Sequence, residues 1–180
     1  MLSIDRFPKN KDHFVRLIQF LKPVLEICAG LGIDPVVNGS LAVLAYTHNP
    51  DLEVNDIDLA ISEADFDRLR VALEAAGIRC RLREWHVLQV ERDDLKIDFD
   101  SAEYWYKDLP IEHGTLRLDT ATVSVVSLPA AKTLYRRGLE ATARQIDEGN
   151  NRRKHASYQA KYAALNAVDE SNISSRKAPA

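Results

Sequence analysis

The sequence predicts an α/β chain in which helices alternate with short strands. Apolar residues recur at helical spacing over 11–30 and 63–76, with Phe14, Leu17, Ile18, Leu21, Leu25 and Cys28 on one face of the first segment. Over 57–61 and 78–100 the period switches to two, as in half-buried strands. The resulting order of helix, strand, helix, strand, helix is that of a layered α/β or α+β fold. An apolar content of 46% over 180 residues is enough for a core and argues against global disorder.

Taken in order, the first helix spans 11 to about 30. Asn10 can cap its start, Pro23 should kink it or open a new first turn, and Gly30 and Gly32 end it. A strand follows over 34–37, then the turn Asn38-Gly39-Ser40 and a short helix from Leu41 to about Tyr46. Residues 47–55 are polar and rich in turn formers, and read as a loop. The strand after it ends near Ile61. Ser62 with Asp65 resembles a capping box at the start of the helix 63–76, whose buried face is Phe66, Leu69, Leu73 and Ala76, with Gly77 closing it.

Ile78–Arg83, Val87–Arg92 and Leu95–Asp100 each alternate, and Asp93-Asp94 reads as a hairpin turn. Tyr104-Trp105-Tyr106 is an aromatic cluster. Leu116 to Val126 looks strand-like. Leu128-Pro129 starts a helix through about Glu148, Gly149-Asn150 breaks it, and a last helix runs from about Asn151 to Ala167. The expected organisation is a core domain over 1–127, a helical region over 128–168 packed on it, and a disordered tail over 169–180.

Charge and composition narrow the function. A net charge of −3 and a pI near 6.0 do not suggest a general nucleic-acid coat. Cys28 and Cys80 stand apart without a Cys-x-x-Cys motif and read as buried reduced thiols. The amino terminus lacks the apolar run of a signal peptide, and no run reaches membrane-spanning length, so the expected location is cytoplasmic with no membrane partner. The five histidines show no ligand spacing, which argues against zinc.

The chemistry concentrates in two places. Asp56 and Asp58 are two apart on a strand and project from the same side, while Ile57, Leu59 and Ile61 anchor the other. Two adjacent carboxylates repel unless a cation sits between them. Gly39 and Ser40 form a turn at a helix start, where free backbone N–H groups and a hydroxyl suit a phosphate. Asp98, between Ile97 and Phe99, shares a strand face with Lys96 and Asp100. Asp98 is preferred to Asp100 as the third carboxylate because it lies deeper in the strand. Hard oxygen ligands suit magnesium.

These motifs, Asn38-Gly39-Ser40 followed by Asp56-Ile57-Asp58 and a later flanked Asp98, resemble the signature of the nucleotidyltransferase superfamily. That is the fold shared by DNA polymerase beta and by the minimal and aminoglycoside nucleotidyltransferases. The spacer from Ser40 to Asp56 is longer than is usual there, with Thr47 to Val54 as an extra loop. The resemblance implies a mixed sheet flanked by helices with a helical carboxy-terminal part. It also implies transfer of a nucleoside monophosphate from an NTP, with ATP the expected donor, to an acceptor hydroxyl, releasing pyrophosphate. Asp56, Asp58 and Asp98 would then ligate two Mg2+ ions, with Asp98 also the general base. Gly39 and Ser40 would hold phosphates. Lys132 and Lys154, with Arg152 and Arg153, would face the triphosphate, or form a solvated basic face.

The acceptor stays open among a small molecule, a protein and an RNA. An alternative is an inactive nucleotidyltransferase-like binding module, such as a toxin–antitoxin component. Arg79, Arg81 and Arg83 share one strand face, as a protected sheet edge or a phosphate groove, with the edge preferred. Tyr104, Trp105 and Tyr106 either stack on a flat substrate or belong to the core. His48, in the long loop, reads as a surface residue within reach of the nucleotide.

Overall fold

A computed structural model describes residues 1–109, 113–119, 121–146 and 152–169. Eight strands form one mixed sheet: β1 (Leu2–Ser3), β2 (Val36–Val37), β3 (Ile57–Ile61), β4 (Arg79–Arg83), β5 (Val87–Arg92), β6 (Leu95–Ser101), β7 (His113–Leu118) and β8 (Ala121–Val126). Their spatial order is β1-β7-β8-β2-β3-β6-β5-β4. The helices are α1 (Lys11–Gly30), α2 (Gly39–Thr47), α3 (Phe66–Ala75), the short α4 (Ala102–Trp105), α5 (Leu128–Ile146) and α6 (Arg152–Asn166). None of the described helices is long and apolar enough to cross a membrane.

The pairing of β3 with β6 positions the site. These strands run parallel, with Ile57 beside Ile97, Asp58 beside Asp98 and Leu59 beside Phe99. Ile57, Leu59, Ile97 and Phe99 are fully buried, so this register is held by the core on one face. The same alternation turns Asp58 and Asp98 to the opposite face, side by side. β5 joins β6 through the tight Asp93-Asp94 turn, where Asp93 takes φ 55°. β4 closes the sheet at its edge, and its arginines and Leu82 are exposed or half-buried.

α2 is buried from Ser40 to Tyr46, on all sides rather than along one stripe, which marks it as a central helix. It packs against β3 and against α5 and α6. α1 lies on α3 and β6, with Phe14, Leu17, Phe20, Leu21, Val24 and Cys28 buried. Pro23 sits inside α1 without ending it. The helix closes through Gly32 at φ 68°, where the Gly32 N–H donates to Ala29 O and the Ile33 N–H to Cys28 O. Gly77 closes α3 in the same way.

Several local expectations change. Asn10 precedes α1 but makes no cap bond. Its side chain instead accepts from Val54 N–H at 3.1 Å and donates to Val54 O at 2.9 Å, tying the loop before Asp56 to the start of α1. Ser62 does not cap either. It donates to Glu103 at 2.6 Å, residues 63–65 form a 3-10 turn, and α3 begins only at Phe66. Ala76 is exposed, because the helix has already ended. The strand-like segment is a hairpin of β7 and β8, and its outer strand β7 pairs with the two-residue β1 at the sheet edge. Gly149, Asn150 and the tail from 170 lie outside the described residues.

Candidate active site

Asp56 ends the loop and Asp58 lies inside β3, next to Asp98 of β6. One carboxylate oxygen from each of the three lies within 4.8 Å of the others, and all three residues are half-buried. Asp100, one pleat further along β6, is held apart by other partners. Its Oδ2 accepts from Asn38 Nδ2 and from the Tyr106 hydroxyl, both at 3.4 Å. Loss of hydration pushes the Asp100 carboxyl up to about 7, against those two donors. Asp58 is raised well above the ordinary carboxylate range, first by lost hydration and then by the charges of Asp56, Asp100 and Asp98.

Such a cluster demands positive charge, and one cation is already present. Lys96 Nζ lies 2.9 Å from Asp56 Oδ2 and 3.1 Å from Asp98 Oδ2. These partners raise the Lys96 ammonium pKa although burial acts to lower it. An all-oxygen set that already accommodates a cation fits a hard divalent metal. The other oxygen of Asp98 is held separately. Gln89 Nε2 donates to Asp98 Oδ1 at 3.0 Å, and Gln89 Oε1 in turn accepts from Arg83 Nε at 3.1 Å. Arg83, Gln89 and Asp98 therefore form a chain across β4, β5 and β6, in which Gln89 is only 8% exposed.

Gly39 opens α2 at φ 59°, a conformation that favours glycine. A side chain there would also overlap the Asp58 carboxylate, with Asp58 Cγ 2.7 Å from an added Cβ. The turn and the carboxylates thus touch. Ser40 is buried, and its Oγ accepts from Lys161 Nζ of α6 at 2.7 Å. Burial lowers the Lys161 pKa, while Asp58 and Asp56 draw it upward. Tyr135 of α5 and Tyr158 of α6 meet edge to face at 5.6 Å beside it. Ser40, Asp56 and Lys161, with Lys9, Asp51, Glu53, Asn55 and Ser157 among others, line a cavity of about 440 Å³.

The structure thus brings together Asp56, Asp58, Asp98, Gly39 and Ser40. Lys132 is half-buried near the start of α5, and Lys154 is exposed in the first turn of α6, its Nζ 5.9 Å above the Tyr158 ring. Neither lines the cavity. The aromatic cluster divides: Tyr106 is buried against Asp100, whereas Tyr104 stacks on His86 and Trp105 is exposed. Sequence reasoning assigned no role to Lys161, Gln89 or Lys96. Lys154, Tyr158 and Lys161 do share one helical stripe, and Gln89 is a lone polar residue in the run Val87–Val90.

The family model for aminoglycoside-2''-adenylyltransferase matches residues 20–151 of the chain. No curated protein matches it significantly by sequence. Among solved structures it is similar to ANT(2'')-Ia in complex with adenylyl-2''-tobramycin, at 13% identity and TM-score 0.55, over 88% of this chain and 92% of that one. It is similar to a Thermotoga maritima protein assigned as a nucleotidyltransferase, at 16% identity and TM-score 0.60, over 82% and 97%. The lincosamide antibiotic adenylyltransferase LnuA, bound to lincomycin, aligns at 11% identity and TM-score 0.55, over 83% and 96%. At these identities the likeness to solved structures is one of fold.

Proposed function

The chain belongs to the aminoglycoside-2''-adenylyltransferase family, and from that premise we propose which residues carry its chemistry and what it modifies. It is a metal-dependent nucleotidyltransferase, moving a nucleoside monophosphate from an NTP to an acceptor hydroxyl with release of pyrophosphate. The single observation that carries the assignment of residues is the convergence of Asp56, Asp58 and Asp98 beside the Gly39-Ser40 turn.

Asp56 and Asp58 are proposed to hold the metal, with Asp98 completing a second site, and Mg2+ is the metal expected for such oxygen donors. When bound, the metal neutralises phosphate charge as it shifts onto the leaving group. Asp98 takes the proton of the acceptor hydroxyl, a role suited by its place at the end of the Gln89–Arg83 chain. The acceptor oxygen forms its bond to the α-phosphorus, the bond from the α-phosphorus to the bridging oxygen breaks, and pyrophosphate departs. Ser40, Lys161 and the amides opening α2 receive phosphate oxygens. Lys154, two turns before Lys161 on α6, and Lys132 on α5 are assigned to the same phosphates at longer range.

For the nucleotide we propose ATP, following the adenylyl group in the family description. For the acceptor we propose a small hydroxylated antibiotic bearing amines, because the family description specifies an aminoglycoside and the cavity carries Asp51 and Glu53 beside Asp56. The test is pyrophosphate release and product mass with each NTP, Mg2+ and a panel of aminoglycosides and lincosamides. Nucleotide-, metal- and acceptor-dependent turnover is expected, lost in Asp98→Asn while NTP binding persists. Metal-independent NTP binding with no turnover on any acceptor would favour the inactive binding module instead.

A further inference from the structure

Lys96 occupies the position between Asp56 and Asp98 that the reading above gives to a metal. The arrangement follows from register. Ile97 pairs with Ile57 across the parallel strands, so Lys96 stands beside Asp56, and alternation puts its side chain on the same face as Asp98. Its ammonium contacts Asp98 at Oδ2, the oxygen that Gln89 leaves untouched, since Gln89 holds Oδ1. The contacts of Lys96 reach Asp56 and Asp98 but not Asp58.

We propose that Lys96 is a built-in competitor of the divalent metal, a resident cation that orders the carboxylates and must leave Asp56 and Asp98 when the metal enters. Two consequences follow from charge alone. The triad can fold without metal, because part of its repulsion is cancelled. Metal alone binds weakly, because it must first displace an ion pair that is two-thirds shielded from solvent, the Lys96 side chain being 35% exposed. A metal arriving with a triphosphate brings further contacts to Ser40 and Lys161 and overcomes that competition. Glu91, the register partner of Lys96 on β5 and already an ion-pair partner of Arg83 at 3.8 Å, is the carboxylate that the displaced ammonium would meet. Lys96 is thus a positioning residue that couples metal occupancy to nucleotide occupancy.

This inference rests on the metal reading of the triad, and the test separates the two. Mn2+ alone is titrated into wild type and into Lys96→Met, with binding followed by calorimetry and by the paramagnetic signal of free Mn2+. The variant is expected to bind Mn2+ about tenfold more tightly, to melt lower than wild type in EDTA, and to gain more on adding Mn2+. Unchanged or weaker affinity overturns the proposal. Absence of Mn2+ binding in both wild type and Lys96→Met overturns the metal reading, and this inference with it. A second measurement needs no variant. Amine acetylation of wild type, read by peptide mass, should increase severalfold at Lys96 on adding Mn2+, with exposed Lys107 unchanged. An unaltered Lys96 rate overturns the displacement.

Discussion

Lys161 Nζ donates to Ser40 Oγ at 2.7 Å, joining helix α6 to the first turn of α2 across 121 residues of sequence. Both groups are drawn in from solvent, so the contact places a cation and a hydroxyl beside the helix start where an anion is best received. Replacing Lys161 by Met keeps the length of the side chain and removes the charge. A hydrogen bond from a charged group is worth roughly 1.5–3 kcal/mol, so the NTP KM is expected to rise about tenfold or more, with the acceptor KM little changed. Steady-state kinetics with each substrate varied in turn checks this. An unchanged NTP KM would remove Lys161 from the phosphate site.

Gly39→Ala tests the contact between the turn and the carboxylates. The φ of 59° alone costs a non-glycine residue roughly 1–3 kcal/mol, and the new methyl group would displace the Asp58 side chain. Both a lower melting temperature and loss of Mn2+ binding are expected. A variant that melts lower yet binds metal as wild type does would show that Asp58 can move aside without consequence.

Gln89→Leu leaves the volume of the side chain nearly unchanged but releases Asp98 Oδ1 and removes one partner of Arg83, which keeps Glu91 at 3.8 Å. Partners that orient a metal-binding carboxylate are worth about 10- to 100-fold in activity or affinity. The expected result is a fall in kcat of that size with the NTP KM retained. Arg83→Ala should reproduce part of it, and the double variant should be less than additive, because both act through one oxygen.

The thiols give a check on the core away from the site. Lost hydration pushes Cys28, on the buried face of α1, up to about 12, and also raises Cys80, with Glu74 adding to burial. A thiol whose folded pKa is raised costs nothing below its unfolded value near 9 and destabilises as pH rises from there toward 12. At pH 8 a disulfide reagent should therefore modify Cys80 slowly, and Cys28 only after denaturant is added. Rapid reaction of two thiols in the native protein would contradict the packing of α1.

Local pattern was enough to place the carboxylate pair and the Gly39-Ser40 turn. The two-residue alternation around Asp56, Asp58 and Asp98 sets which way each side chain points once it lies in a strand, and the Gly-Ser turn is written in three consecutive residues. Helix ends at Gly32 and Gly77 were legible for the same reason, since a left-handed cap is a property of one residue. Asn10 and Ser62 were misread as caps because their side chains are claimed by partners 44 and 41 residues away, and no local signal reports that competition. The hairpin of β7 and β8 was hidden because apolar content alone cannot say where a strand folds back on itself.

Adjacency, by contrast, comes from packing. That β3 lies parallel to β6 with Asp58 against Asp98, that Gln89 reaches Asp98 from β5, and that Lys161 returns to Ser40 all depend on sheet order and helix docking. Strand register is set by which apolar faces bury together across the whole core, a sum over many distant side chains. Residue identity and strand alternation set the chemical groups and the faces they occupy. The packing of Ile57, Leu59, Ile97 and Phe99 determined which of those groups meet, and so where the charge of Lys96 sits.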